Sequence, residues 1–351
     1  MRDSRTRSFS AVNPHMMGER ARREKQRKII ITAIAVVALL IAVFTFLIFA
    51  ELFGWFDKNP AGPGGDVGGI KLDYEEQLIS RDDIHKGDLI LINSSFPYVF
   101  PETTGKLLDL YSDRTAHGKS ASGNTIYAYY TQNGPDSCAK LASEARVAFN
   151  AWADAFYKAT GEIDLFVYDE DGYRSEAFQS ERNANNPVKY VPAGQTEHHT
   201  GNAVDLYIYD GKVFYNLDDG EFASTYKWVY DNAHKFGFIH RYPAEKESTT
   251  GITNEKYHFR YVGVAHATYM AQHDYCLEEY LDLLRDSYAY DKAHLEFKGD
   301  DGTQYVVYYV AASADEVTEV PVPKADEAGK ISYTVSGDNK EGFIVTVTIA
   351  Q

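Results

Sequence analysis

Thr196-Glu-His198-His-Thr-Gly201-Asn-Ala203-Val-Asp205 is the stretch from which the rest of this chain is best read, together with Glu255-Lys-Tyr-His258-Phe-Arg260 some fifty residues later. Gly201 to Tyr209 has the alternation of a strand, with Asp205 on it and Asp210-Gly211 as the turn that ends it. Neighbouring side chains on a strand face opposite ways, which favours His198 over the adjacent His199 as the inward-facing imidazole. His198, His258 and Asp205 then supply two imidazoles and one carboxylate. That is the donor set of a catalytic zinc that keeps one position for water, and Glu255 can take that water's proton. The residues therefore spell a metallo-hydrolase.

Upstream, Ile163-Asp-Leu165-Phe-Val167-Tyr reads as a strand that delivers the chain to Gly172-Tyr173-Arg174-Ser175. Leu141, Ala145, Phe149, Trp152 and Phe156 recur at helical spacing, so a core helix is expected over 136–160, with Asp136 and Ser137 as its caps. A second helix is expected from about Ser224 to Phe236, stopped by Gly237. Trp228, Phe236, Phe238 and Tyr242 read as core or cleft wall. Beyond Asp291 the pattern changes to short alternating runs with tight-turn signals, including Leu295–Gly302, Tyr305–Val310, Val320–Pro323, Ile331–Val335 and Gly342–Ile349. The fold class is α+β, a small antiparallel sheet with flanking helices, followed by a small C-terminal β module.

Toward the N-terminus, Ile29 to Ala50 runs 22 residues without a charge. At about 1.5 Å per residue such a helix is roughly 33 Å long, enough to cross a hydrocarbon core of about 30 Å. Residues 1–28 hold nine Lys/Arg against three acidic residues, which places the N-terminus in the cytoplasm and the remainder outside the cell membrane. The run is longer than a signal-peptide core and ends in Glu51-Leu-Phe-Gly-Trp55-Phe56 without a small-x-small cleavage site, so an uncleaved single-pass anchor is expected over a cleaved signal peptide. Lys58 to Gly69 is rich in Gly and Pro and reads as a spacer. The expected organisation is a basic tail (1–28), a transmembrane helix (29–50), a linker (51–69), a catalytic domain (70–291) and a β module (292–351).

The net charge is -16, of which residues 1–28 contribute +6, so the rest carries -22. A surface this acidic is a poor match for nucleic acid. The chain has only Cys138 and Cys276, which excludes a disulfide-dense scaffold. They form either one bridge or two buried thiols. Nearly 300 residues outside the membrane are enough for a core that stabilises itself.

Four stretches, in this order, resemble the D-Ala-D-Ala carboxypeptidase family of zinc peptidases, the VanY type: Gly172-Tyr-Arg-Ser-Glu-Ala-Phe-Gln179, Thr196 to Asp205, Trp228 to Pro243, and Thr250 to Gly263. The resemblance covers roughly residues 85–275. It implies that His198, Asp205 and His258 bind zinc, that Glu255 is the catalytic base, and that Arg174 holds the scissile carbonyl or its developing oxyanion. Gln179 and Thr196 are implied near the substrate's terminal carboxylate. Thr196 stands where serine is commoner, Lys256-Tyr257 where proline-tryptophan is usual, and Asp171 where a serine commonly sits. The implied activity removes the terminal D-alanine from peptidoglycan stem peptides. The alternatives are an L,D-carboxypeptidase or a D,D-dipeptidase on the same scaffold, or a non-catalytic cell-wall-binding protein.

Overall fold

The computed structural model describes residues 66–67, 70–324 and 329–350. The expected tail, membrane span and most of the linker lie outside them. Among the described residues no helix is long and apolar enough to cross a membrane.

In chain order the first half contains β1 (Asp66–Val67), β2 (Ile70–Lys71), β3 (Tyr74–Ser80), β4 (Leu107–Asp109), β5 (Tyr129–Thr131), β6 (Lys140–Ala142), α1 (Ser143–Thr160), β7 (Leu165–Val167), α2 (Glu176–Asn185), β8 (Ala203–Asp205), β9 (Tyr207–Tyr209) and β10 (Phe214–Tyr215). The second half adds α3 (Ala223–Asn232), β11 (Phe238–His240), α4 (Glu247–Thr250), β12 (His258–Tyr261), α5 (Val264–His273), α6 (Leu277–Ser287), β13 (Leu295–Lys298), β14 (Gln304–Ala311), β15 (Val317–Pro323), β16 (Ile331–Gly337) and β17 (Gly342–Ile349).

Two small sheets surround the expected site. One has the order β11-β12-β8, all antiparallel, and the other the order β10-β9-β7-β5. In the second, β5 and β7 run parallel, a departure from an all-antiparallel sheet. The chain between them contains α1, and a helix crossover of that length returns a strand parallel to its partner. The stretch Gly201–Tyr209 is likewise divided between the sheets. Ala203–Asp205 pairs with β12 and Tyr207–Tyr209 with β7 and β10, and between them Leu206 still gives its N–H to the Tyr257 carbonyl at 2.9 Å.

The core helix starts later than its apolar spacing suggests. Lys140–Ala142 pairs with Leu107–Asp109 as β6, and α1 begins at Ser143 with no side-chain cap. It ends on Gly161 at φ 80°, a left-handed cap that glycine adopts without strain. Its buried face is Ala145, Phe149, Trp152, Ala153 and Phe156. Trp152 stacks on Phe238 of β11 at 5.1 Å and meets Phe259 of β12 edge-on at 5.0 Å. Alternation along β12 therefore sends Phe259 into the core beneath the sheet and His258 to the opposite face. The second expected helix is α3 plus a 3-10 turn, Ala233–Phe236, closed by Gly237 at φ 80°.

The C-terminal strands form a sheet of order β13-β14-β17-β16. One face carries Val307, Tyr309 and Ile344 against Leu277, Tyr280, Leu281 and Leu284 of α6. The other carries Val306, Tyr308, Phe343, Val345 and Val347 against a β3-β15 ribbon contributing Ile79, Val320 and Val322. Period-two alternation thus gives this sheet two buried faces. Cys138 and Cys276 are both buried free thiols.

Candidate metal centre

Asp205 and His258 are direct cross-strand partners in the β8-β12 ladder, which brings residues 53 apart in sequence side by side. Asp205 Oδ1 lies 2.7 Å from His258 Nδ1. His198 arrives differently. It sits on a 3-10 turn, Glu197–Thr200, and not on a strand, so strand alternation does not distinguish it from His199. Hydrogen bonding does. His198 Nδ1 lies 2.7 Å from the Gly172 carbonyl, which turns Nε2 toward Asp205 Oδ2 at 3.3 Å. His199 has both nitrogens engaged elsewhere, Nδ1 with the Arg174 carbonyl and Nε2 accepting from Gly194 N.

His198, Asp205 and His258 are all buried, with one donor atom from each within 4.8 Å of the others. Thr196 caps the turn, its hydroxyl 3.4 Å from His198 N, and Gly201 at φ 75° closes it. Arg174 Nη2 reaches Asp205 Oδ2 at 3.1 Å and Asp171 Oδ1 at 3.5 Å, while its Nε donates to the Glu170 carbonyl at 2.6 Å. The backbone carbonyl of Glu255 accepts the His258 N–H at 3.1 Å. Gln179 is buried, donates from Nε2 to the Val191 carbonyl at 2.7 Å, and leaves Oε1 without a hydrogen-bond partner among the described residues.

Electrostatics follow from enclosing this many ionisable groups. Burial and the Arg174 charge lower the His198 imidazole to about 4. Burial alone would also lower His258, but hydrogen bonds to Asp205 and Glu197 override it and raise the ring to about 10. Burial opposes charge on Asp205, yet His198 and His258 hold the carboxylate well below its usual range. Burial, reinforced by Asp205, pushes Asp171 up to about 7. Glu255 is raised, chiefly by burial.

Buried carboxylates thus draw a proton onto His258. A cation bound at Nδ1 and Asp205 would satisfy the same field, and two imidazole nitrogens with one carboxylate oxygen are donors suited to zinc. The residues present fit the metal that the sequence implies.

Glu197 is the member of the site that sequence reasoning missed. It is fully enclosed, with Oε1 2.9 Å from Arg241 Nε and Oε2 3.3 Å from His258 Nε2. Tyr242 stacks on His258 at 5.2 Å. An acid next to a candidate ligand histidine was the available signal, but its partners lie 44 and 61 residues away.

Residues 140–264 match the family model for VanY, D-alanyl-D-alanine carboxypeptidase. A bifunctional D-Ala-D-Ala dipeptidase and D-Ala-D-Ala carboxypeptidase of Enterococcus gallinarum, VanXYC, is 33% identical over 141 residues, spanning 36% of this chain and 72% of that protein. The chain belongs to the VanY family. A D-alanyl-D-alanine carboxypeptidase of Enterococcus faecium is 28% identical over 294 residues, 83% of this chain and 85% of the relative. The crystal structure of the vancomycin-resistance D,D-dipeptidase VanXYg shares the fold, with a TM-score of 0.61 at 22% identity over 79% of this chain and 99% of that one. This VanY-family chain is a peptidase, a mixed α/β hydrolase whose matched region includes His198, Asp205, Glu255 and His258.

Proposed function

We propose that this chain is a zinc-dependent D,D-carboxypeptidase that hydrolyses the terminal D-Ala-D-Ala bond of peptidoglycan stem peptides, held on the outer face of the cell membrane by residues 29–50. The observation that carries the reading is the buried His198, Asp205 and His258 donor set with Glu255 three residues before the second histidine, in a chain of the VanY family. The apolar run and the basic tail before it support the anchor.

When bound, zinc supplies a Lewis acid that polarises a carbonyl and brings the pKa of water toward neutrality. The chain's own residues do the rest. Glu255, raised by burial, accepts the proton of the attacking water and returns it to the leaving amine of D-alanine. Arg174 presents an always-charged donor beside Asp205, placed to stabilise negative charge developing on the scissile oxygen. Donors of this kind contribute on the order of 3 kcal/mol in comparable sites. The Gly172 carbonyl keeps His198 oriented.

The relative from E. gallinarum, described as both dipeptidase and carboxypeptidase, supports dipeptidase activity as the second reading. The test is to incubate the purified full-length protein and zinc with stem pentapeptide, stem tetrapeptide or D-Ala-D-Ala, beside a Glu255→Ala control, and follow product masses. Loss of one alanine from the pentapeptide, absent in the control, is expected. Cleavage of the dipeptide alone moves the assignment to a D,D-dipeptidase, and cleavage of the tetrapeptide alone to an L,D-carboxypeptidase. No cleavage of any of them rejects the proposal.

A further inference from the structure

Glu197 is held from one side by two guanidinium groups that are themselves fixed. Arg241 Nε donates to its Oε1 at 2.9 Å, and Arg260 Nη1 sits 3.4 Å from the same oxygen. Arg241 spends its remaining nitrogens on Glu278, at 2.9 and 2.7 Å. Arg260 Nη2 donates to the Asp88 and Ile90 carbonyls at 2.9 and 3.3 Å. Both arginines are buried, so neither can swing away from the carboxylate without losing these bonds. The oxygen left over, Oε2, faces His258 Nε2 at 3.3 Å.

The other ring nitrogen of His258, Nδ1, faces Asp205 at 2.7 Å. A neutral imidazole has one nitrogen that carries a proton and one that offers a lone pair, and the partner of the first decides which is which. A buried carboxylate can only accept, and it accepts from a charged or polarised N–H more strongly than a carbonyl does. We infer that Glu197 is a positioning residue of the metal centre, which accepts the Nε2–H of His258 and thereby assigns Nδ1 as the nitrogen that binds the metal. The inference rests on the reading of His198, Asp205 and His258 as metal ligands and extends it to a fourth residue, an acid that does not ligate. His198 is oriented by the neutral Gly172 carbonyl, so only one of the two imidazoles receives a full negative charge behind it. That charge makes His258 the more basic ligand. Arg241 and Arg260 neutralise the rear of Glu197, which allows a third carboxylate to sit this close to Asp205 and Glu255.

The experiment is zinc affinity measured by competition with a chromogenic chelator, on the full-length protein and its Glu197→Gln and Glu278→Gln variants. Substitution of an outer-shell partner costs about 10- to 100-fold in metal affinity, which is the loss expected for Glu197→Gln. Glu278→Gln disturbs the same arginine without touching His258, and is expected to stay within about threefold of the parent. Should Glu197→Gln fail to fold, Glu197→Asp keeps the charge beside the arginines but withdraws it from the ring, and the same loss is expected. Nitrogen-15 spectra of histidine-labelled, zinc-loaded wild-type protein give a second readout that general loosening does not produce: a metal-bound Nδ1 and a protonated, downfield Nε2 for His258. Zinc on Nε2 of His258, or unchanged affinity in the folded Glu197 variants, overturns the inference. Wild-type protein that binds no zinc overturns it together with the metal reading, whereas zinc binding without peptide cleavage removes only the proposed activity.

Discussion

One guanidinium nitrogen, Arg174 Nη2, serves two carboxylates, lying 3.1 Å from Asp205 Oδ2 and 3.5 Å from Asp171 Oδ1. Its backbone is tied to the same region, with the N–H donating to the His198 carbonyl at 3.1 Å and the carbonyl accepting from His199. Arg174 is therefore a fixed charge at the edge of the ligand cluster. Replacing it with glutamine is expected to lower kcat by about 100- to 1,000-fold, the cost of losing one oxyanion donor. Zinc stoichiometry should be unchanged, because Arg174 is not among the candidate donors His198, Asp205 and His258. Steady-state kinetics with metal analysis check this, and a variant that loses its zinc would show the arginine acting on the metal site instead.

Glu255 is attached to the site through its backbone, its carbonyl accepting from His258 N and its N–H donating to the Tyr242 carbonyl, each at 3.1 Å. The side chain is not among the cluster of metal donors. Glu255→Gln should therefore keep the metal and lose turnover by about 100- to 10,000-fold, the range for removal of a general acid-base group. Equal zinc content with near-normal turnover would remove Glu255 from the mechanism.

The sequence carried the parts of this site that rest on local pattern and known donor chemistry. His198, Asp205 and His258 could be selected because two imidazoles and a carboxylate suit zinc, and strand alternation placed Asp205 correctly on β8. The same alternation was misapplied to His198, which lies on a 3-10 turn where only the bonds to Gly172, Arg174 and Gly194 distinguish the two histidines. Long-range pairing was not legible. Lys140–Ala142 has the apolar spacing of the helix that follows it and becomes a strand because Leu107–Asp109 lies alongside. Glu197 stands beside His198 in the sequence, but its role exists only once Arg241, Arg260 and His258 converge.

Gly172 is where local packing and the ligand cluster meet. A Cβ there would lie 2.4 Å from the Lys140 carbonyl oxygen and 2.9 Å from its nitrogen, both of them backbone atoms of β6. The neighbouring Tyr173 N–H bonds that carbonyl at 2.7 Å, and the Gly172 carbonyl orients His198. Gly172→Ala must push β6 and the His198 acceptor apart. Overpacking of this kind costs about 1 to 3 kcal/mol, so denaturant unfolding should show a loss in that range together with weaker zinc binding. Normal stability and normal zinc affinity in Gly172→Ala would mean that the two segments separate freely.

His266 connects α5 to two other elements, with Nδ1 2.8 Å from the Tyr280 hydroxyl and Nε2 2.8 Å from Thr346 Oγ1. Burial lowers its pKa to about 3, with no charged neighbour contributing. The ordinary value is about 6.5, so between pH 6.5 and 3 the unfolded chain holds a proton here that the folded chain refuses. Stability from this residue is complete above pH 6.5 and declines as the pH falls toward 3. At pH 5 the loss relative to pH 8 is about 2 kcal/mol. His266→Gln can keep hydrogen bonds to both hydroxyls but cannot take up the proton. Its unfolding free energy should therefore fall less between pH 8 and pH 5 than the wild-type value, by about that amount. Other titrating groups are common to both proteins and cancel in the comparison. Identical pH dependence in the two proteins would mean that the ring opens to water before it titrates.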